Sequence, residues 1–141
     1  MTVTKLKKQT FKHIEAELYY YHETLREIER LRKEILFEKV EQDENIGGGR
    51  SNLPSSPTER TANRLLTHKR LQRMEEITAA IDKVYRQLPD EYKKLVELKY
   101  WAKPQRLTMD GIAEALNVGR ATVFRWRKEI IYAIAEAIGW R

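Results

Sequence analysis

The stretch Leu107 to Ile131, LTMDGIAEALNVGRATVFRWRKEII, constrains the fold most, because its apolar and small residues sit at the offsets of a helix-turn-helix. Ile112, Ala113 and Leu116 line the inner face of a short first helix, and Val118, Val123 and Trp126 close the core beneath a second. Asn117 takes the tight corner, since Asn enters the left-handed region at little steric cost. Thr108 is the expected cap of the first helix, with Asp110 favourable in its first turn.

The face that the second helix leaves outward carries the functional signal. With Gly119 near its start, Arg120, Ala121, Phe124, Arg125 and Lys128 point away from Val123 and Trp126, and in a docked helix-turn-helix that face enters the major groove of DNA. An Arg can bond guanine through O6 and N7, Ala and Phe can pack on a thymine methyl, and Lys128 can reach a phosphate. Thr122 and Arg127 complete the expected DNA-binding set. The bland alternative is a basic amphipathic helix whose arginines are merely solvated.

Three segments precede this module. From Lys5 to Gln42 there is no Pro or Gly, and Phe11, Ile14, Leu18, Tyr21, Leu25, Ile28 and Ile35 step mostly by three and four, as in one long helix with a heptad-like seam. Its nine basic residues against eight Glu suit a solvated flank. DENIGGGRSNLPSSP, residues 43–57, reads as a flexible link. Ser56, Pro57 and Glu59 then form a capping-box start to a second long helix, 58–88, whose seam is Met74, Ile77, Ile81, Val84 and Leu88. The first half of that helix is basic, and Arg60, Arg64, Lys69 and Arg73 are its candidate phosphate contacts.

The expected divisions are thus a long helix over 1–42, the link, the second helix and a DNA-binding domain over 89–141. The architecture is all-α: an N-terminal helical hairpin or coiled coil, followed by the helix-turn-helix. Two matching seams on one small chain leave apolar surface to cover, so self-association as a homodimer is expected. Pro89 and Asp90 start the last module, Tyr92, Leu95, Val96, Leu98, Tyr100 and Trp101 support it, and Ile130, Ile131, Ile134 and Ile138 carry its stripe to a left-handed cap at Gly139.

Other classes find little support. His13, His22 and His68 are scattered without ligand spacing, there is no cysteine, and GGGR at 47–50 lacks the ending of a P-loop. No metal site, cofactor or catalytic pair can be nominated, so a non-enzyme is expected. A net charge of +6 favours polyanionic partners. No apolar run approaches the roughly 20 residues of a membrane span, and the first 25 residues lack a signal-peptide core. The expectation is a soluble, cytoplasmic protein without a membrane partner.

LPDEYKKLVELKYW, the stretch from Leu107 to Ile131 and the closing IAEAIGW resemble the C-terminal half of the phage RinA/ArpU group of transcriptional regulators, whose last module is similar to region 4 of bacterial sigma factors. PSSPTERTA and AAIDKVYRQL upstream extend the likeness to about residues 51–141. Asn117 stands where many related motifs have Gly, and Gly119 where they often have a capping Ser. The resemblance implies sequence-specific binding to double-stranded DNA at a promoter and activation of phage or prophage late genes, with bacterial RNA polymerase as a further candidate partner. The rival reading is a phage terminase small subunit, which joins the same kind of module to oligomerising helices but usually places it first. A sigma factor proper would need a melting segment that this chain lacks.

Overall fold

The computed structural model describes residues 5–44 and 57–141. Their regular elements are all helices: α1 (Lys8–Tyr19), α2 (Tyr21–Glu44), α3 (Pro57–Gln87), α4 (Asp90–Val96) with a π-helical turn at Glu97–Trp101, α5 (Met109–Ala115) and α6 (Arg120–Ile138). None is long and apolar enough to cross a membrane. Most of the 43–57 link, with Ser56 of the expected capping box, lies outside the described residues. Pro57 is the first residue of α3, where a missing N–H costs nothing.

The single N-terminal helix expected over 5–42 is two helices. α1 closes at Tyr20, whose backbone at φ −97° and ψ 10° leaves the helical basin, and α2 restarts at Tyr21. No proline or glycine marks the break. Tertiary partners explain it: Trp101 donates its indole N–H to the carbonyl of Leu18 at 3.0 Å and stacks on Tyr21, so the chain is held on both sides of Tyr20 by one aromatic side chain.

The helices divide into two compact units. The larger comprises residues 1–21 and 77–141, the smaller 22–76. Ile14 and Leu18 of the first seam, and Ile77, Ile81 and Val84 of the second, join Leu95, Val96, Ile112, Val123, Trp126, Ile130, Ile131 and Ile134 in one core. The seams are filled largely within the chain rather than reserved for a coiled coil. Fully burying an Ile or Leu side chain stabilises by about 1.5–3 kcal/mol, which is why these residues outrank the heptad pattern they resemble.

In the smaller unit, α2 meets the first part of α3. Ile28 and Leu31 are buried, and two ion pairs tie the helices, Arg70 to Glu27 at 3.4 Å and Arg32 to Glu75 at 3.1 Å. Leu36, Phe37, Leu65 and Leu66 remain at least 59% exposed, and Leu25 is partly exposed.

Candidate nucleic-acid interface

α5 and α6 meet at a four-residue turn built by local chemistry. The Thr108 hydroxyl accepts the backbone N–H of Gly111 at 3.1 Å and caps α5. At its other end Asn117 takes φ +57°, reversing the chain, and Val118 donates back to the carbonyl of Ala113 at 3.0 Å. Gly119, extended at φ −73° and ψ 156°, opens α6 without a side-chain cap. Ile112, Ala113, Val123 and Trp126 are buried in the core, and Leu116 and Val118 pack against it.

Below this pair, Trp126 stacks on Tyr92 with ring centroids 4.8 Å apart, and the Tyr92 hydroxyl donates to Glu129. At the far end, Gly139 at φ +88° lets the N–H groups of Gly139 and Trp140 both return to the carbonyl of Ala135.

With the inner face fixed, the outward residues fall into place. Arg120, Ala121, Arg125 and Lys128 are exposed, while Thr122 and Phe124 are half-buried at the rim. Arg120 pairs with Asp110 of α5 at 3.3 Å and lies 5.3 Å from the Phe124 ring. Arg125 sits 3.8 Å from Glu129, and the Lys128 ammonium lies 5.4 Å from the Tyr132 ring. These are solvent-facing contacts worth little, so the two cations can exchange them for a stronger anion.

Arg127, expected among the DNA contacts, is engaged with α1. Its guanidinium forms two bonds to Glu15 of α1, at 2.6 and 2.8 Å, and lies 4.9 Å from the Phe11 ring. Tyr100 of the π-helical turn donates to the same carboxylate at 2.6 Å. Burial alone would raise the Glu15 pKa, but the bonds from Arg127 and Tyr100 outweigh it and hold the carboxyl below its ordinary range. Arg127 is correspondingly pushed up, chiefly by its bond to Glu15. This arginine fixes α6 to α1 through two of its five donors. The reason is its position two residues from Arg125, which turns it by about 200° to the edge of the buried face.

The match to the family described as Protein of unknown function (DUF722) runs over residues 8–136. The chain belongs to this family. It is also 25% identical over 134 residues to the Transcriptional activator rinA of Staphylococcus phage phi11, covering 95% of this chain and 94% of that protein. No solved structure matches. The family match takes in α1 as well as α5 and α6, in keeping with a shared core between them.

Arg60, Arg64, Lys69 and Arg73 lie on the part of α3 that belongs to the smaller unit. Arg60, Lys69 and Arg73 are exposed and Arg64 is half-buried. Because α3 is continuous, nine residues separate Arg60 from Lys69 by about 180° around its axis. The two pairs therefore face opposite ways and cannot all follow one DNA backbone.

Nothing in the sequence around Glu15 marks it as a partner for distant side chains. Packing of α1 against the π-helical turn and against α6 brings it to Tyr100 and Arg127.

Proposed function

We propose that α5, its turn and α6 form a helix-turn-helix of the sigma-region-4 kind, and that the chain is a transcriptional activator of phage or prophage genes that binds double-stranded DNA sequence-specifically. The observation that carries this reading is the composition of the outward face of α6: Arg120, Ala121, Arg125 and Lys128 stand exposed on a helix whose opposite side is locked into the core. Similarity to a phage transcriptional activator over nearly the whole chain supports it.

In this reading Arg125 and Arg120 contact bases, Ala121 and Phe124 offer apolar contact to a thymine methyl, and Lys128 meets a phosphate. Thr122, at the rim, contacts the backbone near the turn. Arg127 acts from behind by setting the orientation of α6. Arg60 and Arg64, or Lys69 and Arg73, add phosphate contacts from the smaller unit, one pair at a time. The protein does no chemistry of its own and works in the cytoplasm of a bacterial host, with RNA polymerase as its second partner at the promoter. The exposed Leu36, Phe37, Leu65 and Leu66 suit a homodimer formed through the smaller unit.

Selection of duplexes from a random pool by the purified chain tests the proposal. A recovered motif bound at least 1,000-fold more tightly than scrambled DNA, about the lower end for specific readers, is the expected result. Failure to enrich any sequence, with no binding to duplex DNA at low salt, overturns it.

A further inference from the structure

α1 begins with lysines that the fold does not use. Lys5, Lys7, Lys8 and Lys12 are exposed, and no acidic residue occurs before Glu15, which is itself engaged by Arg127 and Tyr100. Among the described residues none of the four has an ion pair. Cations at the start of a helix oppose its dipole, so their charge costs stability rather than supplying it. Lys7, the residue that enters α1, makes no capping bond with its side chain either.

One hydrogen bond places the start of this segment beside α6. The Leu6 N–H donates to the Tyr132 hydroxyl at 3.2 Å. Tyr132 follows Ala121, Arg125 and Lys128 at intervals of four, three and four, so it continues their outward row, about 10 Å along the axis from Arg125. Lys5 and Lys7 flank Leu6 in the chain, and Lys8 follows at the first position of α1. The row of the recognition face thus runs on, past Lys128, into a cluster of unpaired lysines from another part of the chain. Glu129 lies beside that row but is engaged by Tyr92 and Arg125, and Glu136 follows Tyr132 one turn on.

We propose that Lys5, Lys7 and Lys8 form a second contact to DNA, gripping the phosphate backbone where the far end of α6 leaves the major groove. The inference rests on the DNA-reading function above. A helix that inserts its early residues into the groove brings its later turns out over the backbone, where point charges add affinity without reading sequence. The lysine segment thereby widens the footprint of the module.

The experiment uses the full chain with Lys5, Lys7 and Lys8 all changed to Gln, and the same three positions changed to Arg. Binding is titrated over a range of salt concentrations on a random-sequence duplex of about 30 base pairs and on a duplex recovered by selection. Each phosphate contact contributes about 0.9 to the slope of log affinity against log salt, so the Gln variant should lose about two to three units of slope on both duplexes. Its base preference should be unchanged, and the Arg variant should regain the parental slope. Circular dichroism should show parental helix content, and the single variants Lys5→Gln and Lys8→Gln, each losing about one unit, supply the test if the triple variant unfolds. A folded Gln variant with the parental slope overturns the lysine contact. Parental protein that binds neither duplex overturns the DNA reading with it; loss of base preference in Arg125→Ala beside an unchanged Gln slope overturns the lysine contact alone.

Discussion

Arg127 and Glu15 are joined by two charge-assisted hydrogen bonds across 112 residues of chain, and this pair fastens the first helix to the proposed recognition helix. Its side chains are 25% and 14% exposed, so water screens the pair only partly. Replacing Arg127 with Ala leaves the Glu15 carboxylate half-buried with Tyr100 as its remaining bonded partner. The expected loss is about 2–3 kcal/mol of unfolding free energy. Urea unfolding of Arg127→Ala, Glu15→Ala and the double variant should show that the two losses do not add.

The same carboxylate gives stability a dependence on acid. Its folded pKa lies below the ordinary value of 4.5, so its contribution is fully present above that value and is lost as pH falls through the lower folded pKa. Glu15→Gln should be less stable than the parent near neutrality and lose less on acidification. Urea midpoints measured between about pH 3 and 7 check the sign; parallel pH profiles for parent and variant contradict it.

Trp126 is buried and stacked on Tyr92, so Trp126→Ala should cost about 3–5 kcal/mol and loosen the turn between α5 and α6. Thermal unfolding followed by circular dichroism reads the loss. Thr108→Ala, which removes one capping bond, should cost only about 1 kcal/mol.

The smaller unit leaves Leu36, Phe37, Leu65 and Leu66 open to solvent. Sedimentation of the parent should give a dimer, and polar replacement of Phe37 and Leu66 should give a folded monomer. A large closed ring would instead favour the packaging class of protein.

Much of the proposed interface was legible in the sequence because it depends on near neighbours. The Asn117 turn, the Thr108 cap, the Gly139 cap and the buried side of α6 all follow from residues within a few positions of one another. The break at Tyr20 and the true destination of the two seams were not legible. Apolar residues at spacings of three and four say which face of a helix is buried, not what buries it. Ile14 and Ile81 fit a coiled coil and a domain core equally well by spacing, and packing against Leu95, Ile112 and Ile130 decides between them. The Glu15 pairing of Arg127 was hidden for a related reason: an arginine at the edge of a helical face can turn either way, and the carboxylate it meets lies at the opposite end of the chain.

The most direct measurement compares Arg125→Ala and Lys128→Ala with the parent on a selected duplex and its scrambled counterpart, at several salt concentrations. Arg125→Ala should lose about 1–3 kcal/mol on the selected duplex and relax discrimination at one base pair. Lys128→Ala should weaken binding to both duplexes alike and reduce the salt slope by about one. If both variants are folded and bind both duplexes as the parent does, α6 does not read DNA and the central assignment fails.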